Sequence, residues 1–127
     1  MNDIQESQED YLKSIYIISK QNRGGWVSNS EIADLLDVKP SSVTNMLYKL
    51  RDLGLIKWDP RKSIRLTEKG KKRAEIILKR YHALNDFFRN ILDLHDEDTI
   101  NELCCKIEHH LNKEAYNALF QLNIDLK

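Results

Sequence analysis

The 127-residue chain is poor in residues that break regular structure, with four glycines, two prolines and 8% aromatics. Few glycines and aromatics favour helix, and no internal repeat, low-complexity tract or Pro/Gly-rich linker longer than Arg23-Gly24-Gly25 interrupts the sequence. The two cysteines, Cys104 and Cys105, are adjacent, which excludes a disulfide framework and fits a reducing, cytoplasmic setting. No apolar stretch resembles a signal peptide or a membrane span. Nor is there an H-E-x-x-H, a nucleophile elbow or a phosphate-binding glycine loop, so nothing supports a metallohydrolase or any other enzyme.

An excess of charge is also missing, with 20 Lys plus Arg against 20 Asp plus Glu. Spread evenly, that balance would argue against a nucleic-acid partner, but the charge is segregated. Arg61, Lys62, Arg65, Lys69, Lys71, Lys72, Arg73, Lys79 and Arg80 crowd the middle, and Asp93, Asp96, Glu97, Asp98, Glu102 and Glu108 follow. The asymmetry implies a DNA-facing half and a cation-facing half. With 41% hydrophobic residues, the chain can bury the modest cores of one or two small domains.

What is present reads as mainly α. Ile4, Tyr11, Leu12, Ile15, Tyr16 and Ile18 have the mostly helical spacing of a segment that ends near Gln21-Asn22. Ser28-Asn29-Ser30-Glu31 offers several N-caps for a short helix with Ile32, Leu35 and Leu36 facing inward. After the turn Asp37-Val38-Lys39, Pro40 opens another helix, with Val43, Met46, Leu47, Leu50 and Leu53 as its apolar face and Gly54 as its cap. Two short helices joined by three residues predict a helix-turn-helix. The runs 55–58 and 63–66 then flank Asp59-Pro60-Arg61-Lys62 as a hairpin with a basic tip, a wing beside the DNA groove. Thr67 caps a long helix extending to about Leu92, followed by helices from about Asp98 to Leu111 and from Lys113, with Asn112 as the cap of the last.

Two surfaces carry chemistry. Opposite its apolar stripe, the second helix of the motif presents Ser41, Ser42, Thr44, Asn45, Tyr48 and Lys49. Asn45 suits a bidentate adenine contact, the small hydroxyls allow close approach, and Lys49, Arg61 and Lys62 suit phosphate. Later, Cys105, Glu108 and His109 fall at i, i+3 and i+4, sharing one face of a helix whose neighbouring stripe of Ile100, Leu103, Cys104, Ile107 and Leu111 is core. Thiolate, carboxylate and imidazole together form a transition-metal ligand set. His110 points elsewhere, and His95 reads as exposed.

Four motifs line up in order: Glu9-Asp10-Tyr11-Leu12-Lys13-Ser14-Ile15-Tyr16, Pro40-Ser41-Ser42-Val43-Thr44, Leu66-Thr67-Glu68-Lys69-Gly70 and Ile107-Glu108-His109-His110. Over essentially the whole chain they resemble the metal-dependent regulators related to the diphtheria toxin repressor and the manganese transport regulator, in the short form without an appended SH3-like domain. The resemblance implies a winged helix-turn-helix domain over 1–70 and a helical metal-binding and dimerization domain over 71–127. It also implies a homodimer on a double-stranded DNA operator, repressing metal-uptake genes with Mn(II) or Fe(II) as corepressor. The matching ligand positions are Asp10 on the first helix and Cys105, Glu108 and His109 on the later one. Leu119, Leu122 and Leu126 are expected at the dimer interface.

Departures from the family pattern bear on the site. Where the family usually places a histidine on the linking helix, an ungapped count reaches Tyr81, with His82 one residue and about 100° further round. Lys13 replaces a glutamate of the manganese branch, and Asn85 and Asn101 stand where the iron branch has further ligands. One metal site is therefore expected, which His82 could join if the helix carries a local bulge. The competing expectation is a winged-helix regulator without metal control, answering to a small ligand or to thiol oxidation, or binding DNA constitutively.

Overall fold

A computed structural model describes residues 6–60 and 62–126, so Ile4 of the expected first apolar face lies outside the described residues. The chain forms two compact units that divide between Glu75 and Ile76.

In the first unit, α1 (Glu6–Gln21) is followed by a 3₁₀ turn (Arg23–Gly25), α2 (Asn29–Leu36) and α3 (Pro40–Asp52). Then come strands β1 (Ile56–Lys57) and β2 (Arg65–Leu66) and the start of α4 (Glu68–Asp86). The α2 cap is settled in favour of Ser28: its hydroxyl accepts from the Glu31 N–H while the Glu31 carboxylate accepts from the Ser28 N–H, a reciprocal capping box. Asn22 braces that carboxylate at 2.8 Å. Asp37 takes a left-handed conformation (φ 54°) to end α2, Pro40 sits in the first turn of α3, and Gly54 (φ 76°) reverses the chain after α3.

The antiparallel strands pair Ile56 with Leu66 and Lys57 with Arg65. Val27, ahead of α2, adds a bridge to Ile64 that the sequence pattern did not reveal. Leu12, Ile15, Ile32, Val43, Leu47, Leu50, Leu55 and Ile64 are fully enclosed, so the motif helices, α1 and the wing root share one core. One expectation is corrected here: Leu35 is 53% exposed, and Ala33 is buried in its place. At 100° per residue, Ile32, Ala33 and Leu36 share the inner side of so short a helix, and Leu35 falls outside it.

The second unit holds the rest of α4, a π-helical turn (Phe87–Ile91), α5 (Glu97–Ile107), a 3₁₀ turn (Glu108–His110) and α6 (Lys113–Asp125). Leu84, Phe88, Ile100 and Cys104 form its core, with Leu103, Ile107, Leu111 and Leu119 packed around them. Both helices run about as far as expected but change pitch in their last turns: α4 passes after Asp86 into the π turn that ends at Ile91, and α5 passes after Ile107 into the 3₁₀ turn that ends at His110. Asn112 caps α6, its side chain accepting from the Ala115 N–H at 2.7 Å.

Candidate nucleic-acid interface and metal-ligand cluster

On α3, Ser41, Ser42, Asn45, Tyr48 and Lys49 are exposed. Thr44 is half-buried and engaged: its hydroxyl donates to the Pro40 carbonyl at 3.1 Å and accepts from the Asn29 amide at 3.0 Å. Asn29 thereby pins the start of α2 to the first turns of α3.

Tyr48, 40% exposed, is fixed by Arg51, one helical turn on, and by Trp58, which local spacing does not bring to it. Its ring meets Trp58 edge-on, with centroids 4.9 Å apart, and the Arg51 guanidinium lies over both rings at 5.1 and 5.6 Å. Trp58 is buried at the base of the wing, so the stack joins the wing to the outward side of α3. At the wing, Lys62 is exposed and borders a cleft of about 650 Å³ together with Ser28, Asn29, Ser30, Thr44 and Ser63. Arg61 lies outside the described residues. Arg65 stacks over Trp26 at 4.9 Å, a second cation and aromatic pair on the strand of the wing.

Two adjacent carboxylates of α1 differ. Glu9 is buried (1% exposed) and takes the Arg73 guanidinium on its Oε2 at 3.2 Å, tying α1 to the start of α4 within the first unit. Asp10 is half-buried, and its backbone carbonyl accepts the Ser14 hydroxyl at 2.9 Å. Arg73 as the partner of Glu9 was not found from the sequence, because no local pattern connects residues 64 positions apart.

In the second unit, Glu108 is fully enclosed and the His109 side chain is 2% exposed, with Nε2 3.6 Å from Glu108 Oε1. A carboxylate and an imidazole withdrawn from water side by side make a strong donor pair, since desolvation penalises the carboxylate charge until a cation or proton balances it. Cys105 is half-buried and its thiol donates to Asn101 Oδ1 at 3.7 Å, an oxygen that also accepts from the Tyr81 hydroxyl at 2.8 Å. Cys104 is wholly buried and His110 exposed. The chain passes from α-helix to 3₁₀ turn between Cys105 and Glu108, so the three donors do not stand on one regular helix.

His82 is exposed on α4. The π turn begins five residues after it, at Phe87, so that bulge does not redirect the His82 side chain. Asn85 accepts from Arg89 at 2.8 Å, and the same guanidinium grips both carboxylate oxygens of Glu97. That contact, first by hydrogen bond and then by charge, holds the Glu97 carboxyl below the usual carboxylate range. The positions where further ligands were weighed, Tyr81, Asn85 and Asn101, are thus occupied by hydrogen bonds among protein groups.

Comparison with known proteins agrees with this arrangement. Residues 3–64 match the iron dependent repressor N-terminal DNA binding domain, and residues 67–126 match the iron dependent repressor metal binding and dimerisation domain. The chain is 42% identical over 114 residues to an uncharacterized HTH-type transcriptional regulator of Methanocaldococcus jannaschii, covering 90% of each protein. It superposes on the manganese regulator SloR with a TM-score of 0.78 at 26% identity, and on ScaR with bound zinc at 0.75 and 29%. In both cases 94% of this chain covers 54% of the solved one, so the chain spans about half the length of those structures. Among the described residues no helix is long and apolar enough to cross a membrane. The chain belongs to the iron-dependent repressor family of DNA-binding transcriptional regulators, the group that includes the relatives of the diphtheria toxin repressor and the manganese transport regulator, and not to a family of enzymes.

Proposed function

We propose that the protein is a dimeric repressor that binds an operator in double-stranded DNA when a divalent metal, Mn(II) or Fe(II), is held by Glu108 and His109 together with Asp10 and Cys105. The observation that carries this reading is the enclosed Glu108 and His109 pair, lying in the half of the chain that matches the family's metal-binding and dimerisation domain. Oxygen, nitrogen and sulfur donors of this kind fit a first-row divalent cation. A bound cation would supply positive charge to a carboxylate that the fold has removed from water.

The chain's own groups then divide the work. Ser41, Ser42, Asn45, Tyr48 and Lys49 read the groove, with Arg51 and Trp58 fixing the Tyr48 ring. Lys62 and Arg61 meet phosphate at the wing. Leu122 and Leu126, exposed on one side of α6, contribute to the dimer interface together with Leu119. Metal uptake genes are the regulated targets that the family suggests.

The test is titration of metal-stripped protein with Mn(II), Fe(II), Co(II) and Zn(II) under reducing, anaerobic conditions, following stoichiometry and affinity for a promoter fragment in parallel. About one metal per chain with tighter DNA binding is expected. The Cys105→Ala/His109→Ala double variant is expected to lose the metal response while keeping basal DNA affinity. Metal-stimulated binding that survives in this variant would remove the proposed site. Replacing Arg61 and Lys62 by Ala removes two cations from each wing of the dimer and should lower the magnitude of the log-log salt slope by roughly 4, at close to one counterion per phosphate contact.

A further inference from the structure

The small sheet of the first unit has a solvent face that the groove-reading side of α3 does not use. Lys57 of β1 pairs with Arg65 of β2, and the antiparallel bridge from Val27 to Ile64 lays the segment ahead of α2 along the other edge of β2. Val27, Ile64, Ile56 and Leu66 are buried. Alternation along extended backbone turns their neighbours outward, so Trp26, Arg65 and Lys57 form one exposed row across the sheet, about 10 Å long at two inter-strand spacings.

This row is built for an anion. Residues directly opposite in an antiparallel pair have Cβ atoms about 4.5–5.5 Å apart, so Lys57 and Arg65 set two cations side by side, a pairing that weakens the sheet until an anion joins them. Among the described residues no carboxylate pairs with Lys57, Arg65 or Lys62. The Arg65 guanidinium is held 4.9 Å over the Trp26 ring, and the ring rests against the glycine turn, where a Cβ on Gly24 would lie 3.2 Å from Trp26 Cδ1.

The row is also continuous with the DNA-reading side. A cleft of about 510 Å³ is lined by Trp26 and Lys57 and, in common with the cleft beside Thr44 of α3, by Trp58, Lys62 and Ser63. Among the described residues Asp59 is the one carboxylate in that lining, against Lys57 and Lys62.

We propose that Trp26, Arg65 and Lys57 form a second DNA-backbone contact, which takes phosphates of the operator flanking the half-site read by α3. The proposal rests on the reading of α3 and the wing tip as the DNA-binding surface and extends that surface over the outer face of the wing. Arg65 and Lys57 hold phosphate, and Trp26 keeps the guanidinium in place. Such a contact adds affinity whatever the flanking sequence, because phosphate carries no base information.

The test is binding of the full-length protein to a labelled random-sequence duplex several helical turns long, measured against salt with and without Mn(II). Lys57→Ala/Arg65→Ala should lower the magnitude of the log-log salt slope by about 4 for a dimer, two cations from each protomer. Lys106→Ala/Lys113→Ala, which removes exposed cations of α5 and α6, controls for net charge and should leave the slope unchanged. Lys57→Glu should lower the slope while keeping or raising thermal stability, because glutamate opposite Arg65 replaces a like-charge pair. A role in the sheet alone would move stability and leave the slope in place. Acrylamide quenching follows Trp26, which is 48% exposed while Trp58 is 8% exposed, and the duplex should protect it.

An unchanged slope in Lys57→Ala/Arg65→Ala, or an equal fall in the control, would overturn the proposal. So would undiminished quenching in the complex, which would leave the face to an acidic protein. Each comparison holds in either metal state: loss of Mn(II) stimulation alone removes the metal site and leaves this contact standing, whereas failure to bind any duplex removes both.

Discussion

Gly70 is a residue whose identity is dictated by one contact. A Cβ built there would lie 2.0 Å from the Leu55 carbonyl oxygen and 3.2 Å from Leu66 Cδ2. The first of these is backbone and cannot swing aside. Around it, the Thr67 hydroxyl accepts from the Gly70 N–H at 3.1 Å and donates to the Gly54 carbonyl at 2.7 Å, while the Thr67 N–H donates to Leu55. Gly70→Ala must therefore push the start of α4 away from the wing root, at a cost of about 2–3 kcal/mol for overpacking. A fall of that size in unfolding free energy, measured in urea with the slope unchanged, is the expected result. Conversely, an unchanged midpoint would mean that the two backbones are not so close. Individual residues were unevenly legible. Gly54 and Asn112 announced themselves because caps need a particular residue type at a particular place. Glu9 and Asp10 did not, since two neighbouring carboxylates look alike until Arg73, 64 positions on, engages one of them.

At the scale of elements, the capping box of α2 offers a pH test. Glu31 is held below its ordinary pKa, first by the Asn22 side-chain hydrogen bond and then by the Ser28 backbone N–H. A depressed folded pKa means the contribution is fully present above the unfolded value and is lost as pH falls through the folded one. The first unit should thus lose stability on acidification below the usual carboxylate range, about pH 4. Glu31→Gln should flatten that part of the curve, with helix content followed by circular dichroism against pH. A profile identical to wild type would remove Glu31 from the acid response. The helix-turn-helix and wing were legible because caps, Pro40, Gly54 and the change of period from 3.6 to 2 mark each boundary. The interruptions of α4 and α5 were not. Phe87–Ile91 and Glu108–His110 contain no glycine or proline, so no residue type marks the change of helical pitch in the sequence. Spacing alone did bring Glu108 and His109 side by side, and it also accounts for the Cys105 thiol on Asn101, an i, i−4 contact within α5.

For the whole molecule, the proposed metal site and dimer link folding to mass action. Leu122 and Leu126 are 39% and 60% exposed on α6, and a 13-residue helix gains little stability by itself. Leu122→Arg/Leu126→Arg is expected to shift sedimentation from dimer to monomer at micromolar protein. If the variant remains dimeric, the interface lies elsewhere. Metal adds a second linkage: anything bound by the native state alone stabilises it by RT ln(1 + [L]/Kd), about 2.7 kcal/mol at a hundred times Kd. Ligand residues drawn from α1 and from the turn after α5 would impose that gain on both units, because neither could unfold without losing the cation. Thermal melts of metal-stripped protein should show Mn(II) raising the transitions of both units together. In Cys105→Ala/His109→Ala neither transition should move. A rise confined to the second unit would leave Glu108 and His109 as ligands and remove Asp10 from the set.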